Sequence, residues 1–92
     1  MKFRFKRGIA VPYEQQGYIY FKSLRFQKLP AAERDKIRVL CKNVGGYNWK
    51  ALLEHVTTGT PVREVCRRHY IASPTTIYRA LKRYYERFHE KL

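Results

Sequence analysis

Ninety-two residues suffice for one domain with a modest core, and twenty Lys and Arg against seven Asp and Glu give a formal net charge of +13. Such a surface self-repels and attracts polyanions, whereas no apolar run approaches the roughly 18 residues that a membrane-spanning helix needs. Lys2, Arg4, Lys6 and Arg7 precede no signal-peptide core, so a cytoplasmic protein with no membrane partner is expected.

The charge is uneven. Residues 1–30 carry seven basic and one acidic side chain (+6), residues 31–59 five and three (+2), and residues 60–92 eight and three (+5). The two ends therefore read as contact surface and the middle as scaffold. Two cysteines, Cys41 and Cys66, cannot build a disulfide framework. Both fall on apolar helix faces, where a thiol acts as a small hydrophobe. Of the four zinc-ligand types Cys41, His55, Cys66 and His69, only Cys66 and His69 have a familiar close spacing. Buried, reduced thiols are expected, with neither metal nor cofactor.

In chain order, residues 1–30 read as a basic aromatic arm. Lys2-Phe3-Arg4-Phe5-Lys6 alternates charge and ring with a period of two. Tyr18-Ile19-Tyr20-Phe21 is rich in strand-forming types, with Leu24 and Phe26 extending its face. Gly8, Pro12 and Gly17 interrupt a helix, so an extended segment or short β-hairpin is expected. It must dock on the helices or on a partner, because a lone hairpin is marginal in water.

From Pro30 the period becomes helical. Ile37, Leu40, Cys41 and Val44 recur at i, i+3, i+4, i+7, and Gly45-Gly46 ends the helix. Asn48 is a candidate cap for the next helix, whose stripe is Trp49, Leu52, Leu53 and Val56. Thr60-Pro61 and Ser73-Pro74 each give a helix start, a hydroxyl followed by proline at the first helical position. Val62, Val65 and Cys66 face inward on the first of these helices. Ile77, Leu81, Tyr84 and Phe88 face inward on the second, flanked by Ala80 and Tyr85. The fold class is thus mainly α: a four-helix bundle over residues 31–92, containing a helix-turn-helix at 60–88 and preceded by the extended arm.

At about 100° per residue, Arg79 lies opposite the Ile77–Leu81–Tyr84 stripe. Thr75, Lys82, Arg83 and Glu86 share its half of the helix, and Thr76 and Tyr78 border it. Reading helices insert their N-terminal portion into the major groove, which makes Thr75, Thr76, Tyr78 and Arg79 the candidates for reaching base edges, with Ser73 a further DNA-binding candidate beside them. Arg79 has the geometry to donate twice to guanine O6 and N7. Lys82, Arg83 and Arg87, with Arg63, Arg67 and Arg68 of the preceding helix, are candidates for the phosphate backbone, which sets affinity and salt dependence. In the common form of the motif a small residue fills the fifth position and glycine the ninth. Placing Cys66 at the fifth puts Tyr70 at the ninth, where a left-handed φ is costly for a bulky side chain; a slightly opened corner is expected.

The runs Val39-Leu40-Cys41-Lys42, Ala51-Leu52-Leu53-Glu54-His55-Val56, Gly59 and Arg63-Glu64-Val65-Cys66-Arg67-Arg68-His69 resemble the Pap-type regulators of fimbrial adhesin operons. The resemblance spans roughly residues 33–83. It implies a small transcription factor that binds AT-rich double-stranded DNA as a homo-oligomer, in part through the minor groove. Arg63, Cys66 and Gly59 match the basic residue, the cysteine and the interhelical glycine of that pattern. The recognition helix departs from it: Ser73-Pro74-Thr75-Thr76-Ile77-Tyr78 stands where those proteins have polar or glycine residues before Tyr-Phe-Ser. A target sequence therefore does not carry over. Thr76-Ile77-Tyr78-Arg79 also resembles the DNA-binding domains of mobile-element resolvases, excisionases and transposases, the nearest alternative.

A third alternative is an RNA or single-strand binder stacking bases on Phe3, Phe5, Tyr18 and Tyr20. Metal-dependent phosphoryl transfer calls for converging carboxylates, yet Asp35 is the sole aspartate, so a protein without catalytic residues is expected.

Overall fold

All four prolines stand at helix starts, where no N–H is needed and a φ near −60° is already set. The computed structural model describes residues 3 and 5–89. Pro12 precedes α1 (Tyr13–Leu24), Pro30 precedes α2 (Ala31–Gly45), Pro61 precedes α4 (Val62–Arg68), and Pro74 is the first residue of α5 (Pro74–Glu86). Only α3 (Trp49–Thr58) starts without one, following directly from a single 3₁₀ turn at Gly46–Asn48. Gly46 (φ 54°) ends α2 and Gly59 (φ 76°) ends α3, both in the positive-φ region that glycine enters without steric cost.

The architecture is mainly helical, as expected, and α2 to α5 occupy the predicted segments. The extended arm or hairpin is not what forms. Residues 13–24 are helical, and no strand occurs among the described residues. The period-two reading of Tyr18-Ile19-Tyr20-Phe21 fails because the inward stripe of α1 is Gln16, Ile19 and Ser23, spaced i, i+3, i+7 but mostly polar. Gly17 lies inside the helix, and the Phe3 ring packs over it, 3.7 Å from where a Cβ would stand, an ordinary contact distance. Of the alternating run at the N-terminus, Lys2 and Arg4 lie outside the described residues.

Three caps also differ from expectation, the Ser73 hydroxyl before α5 among them. Asn48 occupies the position before α3 but makes no capping bond. Thr60 spends its hydroxyl on Thr58 (2.7 Å), leaving the Pro61 carbonyl to accept from Glu64 and Val65 at the start of α4.

Burial divides into two clusters. The larger joins Ile19, Phe26, Ile37, Cys41, Val44, Leu52 and Val56 to Leu81, Tyr84, Tyr85 and Phe88. The smaller joins Ala51 of α3 and Val62, Val65 and Cys66 of α4 to Ile77 of α5, with Ile71 packed against it. A buried hydroxyl relay crosses the larger cluster: Ser23 Oγ donates to the Ile19 carbonyl (2.7 Å), so the Tyr84 hydroxyl donates to Ser23 Oγ (2.6 Å). Burial pushes the Cys41 thiol up to about 12 and raises the Cys66 thiol. Both act as packing groups, and each lies in a different cluster.

Candidate nucleic-acid interface

The smaller cluster fixes α4 against the N-terminal half of α5, and the corner between them is closed by the backbone. The His69 N–H bonds the Val65 carbonyl (3.0 Å) and the Ile71 N–H bonds the Cys66 carbonyl (2.8 Å). Together with left-handed Tyr70 (φ 57°), this is a Schellman-type helix end, completed by Ile71 packing back onto the Cys66 cluster. The corner is therefore not opened to avoid a strained tyrosine. Tyr70 adopts the glycine-like conformation, and its ring, 96 % exposed, meets nothing that would prevent it. His69 ties the corner to α3 through Nε2 and Glu54 (2.9 Å).

Ser73 is extended before α5. Its hydroxyl makes no capping bond, while its carbonyl accepts from Thr76 N–H (3.2 Å). Burying Ile77, Ala80, Leu81, Tyr84 and Tyr85 turns the opposite side of α5 outward. Ser73, Thr75, Thr76, Tyr78, Arg79, Lys82 and Arg83 are all exposed, as are Arg63, Arg67 and Arg68 on α4.

These cations differ in how far they are already engaged. Arg67 is paired with Glu64; Arg68 reaches both Glu64 (3.2 Å) and Glu54 (2.6 Å). The arginines hold the Glu64 carboxyl below its ordinary range, Arg67 foremost, and the His69 hydrogen bond foremost, aided by Arg68, does the same to Glu54. Arg83 donates to the Val44 carbonyl near the end of α2 (3.0 Å), where the helix dipole favours a cation. Among the described residues no ion pair reaches Arg63, Arg79 or Lys82. The spacing of Glu64 to Arg67 and Arg68, i+3 and i+4, was present in the sequence as a signal for this pairing; the Glu54 contact, fourteen residues away, was not.

The residues before α1 also meet this face. Lys6, Arg7, Gly8 and Ile9 line a groove of about 300 Å³ with Tyr78, Leu81 and Lys82 of α5. No periodicity reveals that approach, because it depends on Gln16 of α1, which holds the segment by its backbone. The four Cys and His residues do not converge: His55 Nδ1 donates to the Thr60 carbonyl (2.7 Å), and His69 is engaged by Glu54. No helix among the described residues is long and apolar enough to cross a membrane. Comparison with protein-family models, with curated proteins and with solved structures found no match.

Proposed function

We propose that the protein binds double-stranded DNA sequence-specifically through α4, the corner and α5, and acts as a cytoplasmic, non-catalytic transcriptional regulator. The observation that carries this reading is the outward face of α5. It displays Thr75, Thr76, Arg79 and Lys82 on a helix whose other side is anchored in both core clusters. A rigid helix with an uncommitted arginine at the centre of its exposed face is suited to major-groove readout. In this reading the N-terminal half of α5 enters the groove, with Thr75, Thr76 and Tyr78 beside the bases. Arg79 donates twice to a guanine edge, a contact worth about 1–3 kcal/mol of discrimination.

On α4, Arg63 meets a phosphate directly. Arg67 and Arg68 exchange their carboxylate partners for phosphates; exposed ion pairs contribute only about 0–1 kcal/mol, so the exchange costs little. Ser73 and Lys82 serve the flanking backbone, and Arg83 keeps its α2 carbonyl while adding charge. A two-fold homodimer presents two copies of α5 to paired half-sites. The Pap-type resemblance favours AT-rich operators. The mobile-element reading differs in biological setting rather than in the binding surface.

A second reading draws on Phe5, Tyr13 and Phe21, which are 49 %, 54 % and 45 % exposed. Such rings suit single-strand stacking. However, Phe3 and Tyr20 are already paired within the protein, with ring centres 5.1 Å apart. Measuring affinity for matched duplex and single-stranded oligonucleotides at one salt concentration separates the two. Tighter duplex binding supports the regulator, and a clear single-strand preference rejects it.

A further inference from the structure

Gln16 is fully buried, and its side-chain amide bonds the backbone of the segment preceding α1 three times. Its Oε1 accepts from Lys6 N–H (2.8 Å), and its Nε2 donates to the carbonyls of Lys6 (3.2 Å) and Val11 (3.0 Å). A buried amide is costly unless it is bonded, and here it pins both ends of the loop from residue 6 to residue 11. A second pin comes from α5, where Glu86 accepts from Ala10 N–H (2.9 Å). Gly8 turns the chain between the pins at φ 79°, with open space where a side chain would stand. Lys6 reaches inward over the Tyr85 ring (5.7 Å), which anchors the loop from below.

The loop is thus fixed against α5, and its position has a consequence for charge. It places Arg7 in the groove beside Tyr78 and Lys82, and among the described residues no carboxylate lines that groove. Both cations are exposed. A basic tail left loose would keep its conformational entropy and bind polyanions wherever they passed; a tail pinned at both ends contributes at one place only. We infer that this groove is a phosphate-binding site for one DNA strand running beside α5. Arg7 and Lys82 are its ligands, and the Tyr78 ring forms the wall between the strand and the bases. The inference rests on the proposed duplex binding and adds to it an element outside α4 and α5.

The test measures affinity for a mixed-sequence duplex across a salt series. It compares the wild type with Arg7→Ala, Lys82→Ala and Lys28→Ala, the last removing one charge outside the groove. Arg7→Ala and Lys82→Ala are each expected to lower affinity about 3- to 10-fold at 0.15 M salt. Each should also flatten the slope of log K against log salt by about one unit, with base preference unchanged. Lys28→Ala should leave the slope within error. Gln16→Leu keeps every charge but removes the pin, so a folded Gln16→Leu protein should lose affinity as Arg7→Ala does. Wild-type duplex binding with an Arg7→Ala slope no different from that of Lys28→Ala overturns the groove alone. A wild type that does not bind duplex overturns both the groove and the reading beneath it.

Discussion

Tyr70→Gly should stabilise the protein. Tyr70 is the only non-glycine residue among those described with positive φ, at 57°, and a side chain in that region costs about 1–2 kcal/mol. Its ring is 96 % exposed, so removing it forfeits no packing. Glycine gives back roughly 0.5–1 kcal/mol through the greater freedom of the unfolded chain. The net gain is therefore about 0–1.5 kcal/mol, centred on roughly 0.75, which is roughly 3–6 °C in Tm for a domain of this size. Thermal unfolding by circular dichroism reads the shift, and Tyr70→Ala is the control. Alanine keeps the left-handed cost, so it should show no comparable gain. If glycine and alanine behave alike, or glycine lowers Tm, the strained-corner account is wrong.

Ser23→Ala strands the Tyr84 hydroxyl in the core and should cost about 1–3 kcal/mol in urea unfolding. Adding Tyr84→Phe should recover most of that loss, and an unrecovered double variant would contradict the relay. Burial, assisted by nearby Lys6, holds His55 below its ordinary value of 6.5. The unfolded state therefore takes up a proton first, and stability should fall as pH drops through 6.5 toward the depressed folded value. His55→Asn, which can still donate to Thr60, should flatten that dependence between pH 7 and pH 5; an unchanged slope would assign it to another group. Glu64→Gln releases Arg67 and removes one negative charge from α4. It should tighten duplex binding about 2- to 5-fold at low salt by fluorescence anisotropy, and weaker binding would mean that the Glu64 pairs position the arginines for contact.

Much of the helical framework was legible because its signals are local. Pro30, Pro61 and Pro74 mark starts, Gly46 and Gly59 mark ends, and the stripes of α2, α3 and α5 are apolar at helical spacing. Helix α1 was not legible for a specific reason. Two of its three buried residues, Gln16 and Ser23, are polar, so its inward face carries no hydrophobic period while its rings mimic a strand. Those same residues serve long-range contacts, to the loop before α1 and to Tyr84, which no local pattern encodes. At the candidate interface, helical geometry was enough to turn Arg79 outward. It did not distinguish the paired Arg67 and Arg68 from Arg63, because that depends partly on Glu54 of another helix. The corner resisted prediction differently: a sequence rule forbids Tyr70 its conformation, and the Ile71 to Cys66 bond with its apolar contact overrides the rule.

The most direct measurement of the central claim uses duplexes selected from a random pool and a panel of single-base variants of the winning sequence. Affinities for the wild type and Arg79→Ala are compared across that panel. The wild type should discriminate at one guanine-containing position by about 1–3 kcal/mol. Arg79→Ala should lose that discrimination alone and keep the helical circular dichroism spectrum of the parent. Uniform weakening across every sequence, or discrimination that survives the substitution, would show that α5 does not read bases through Arg79.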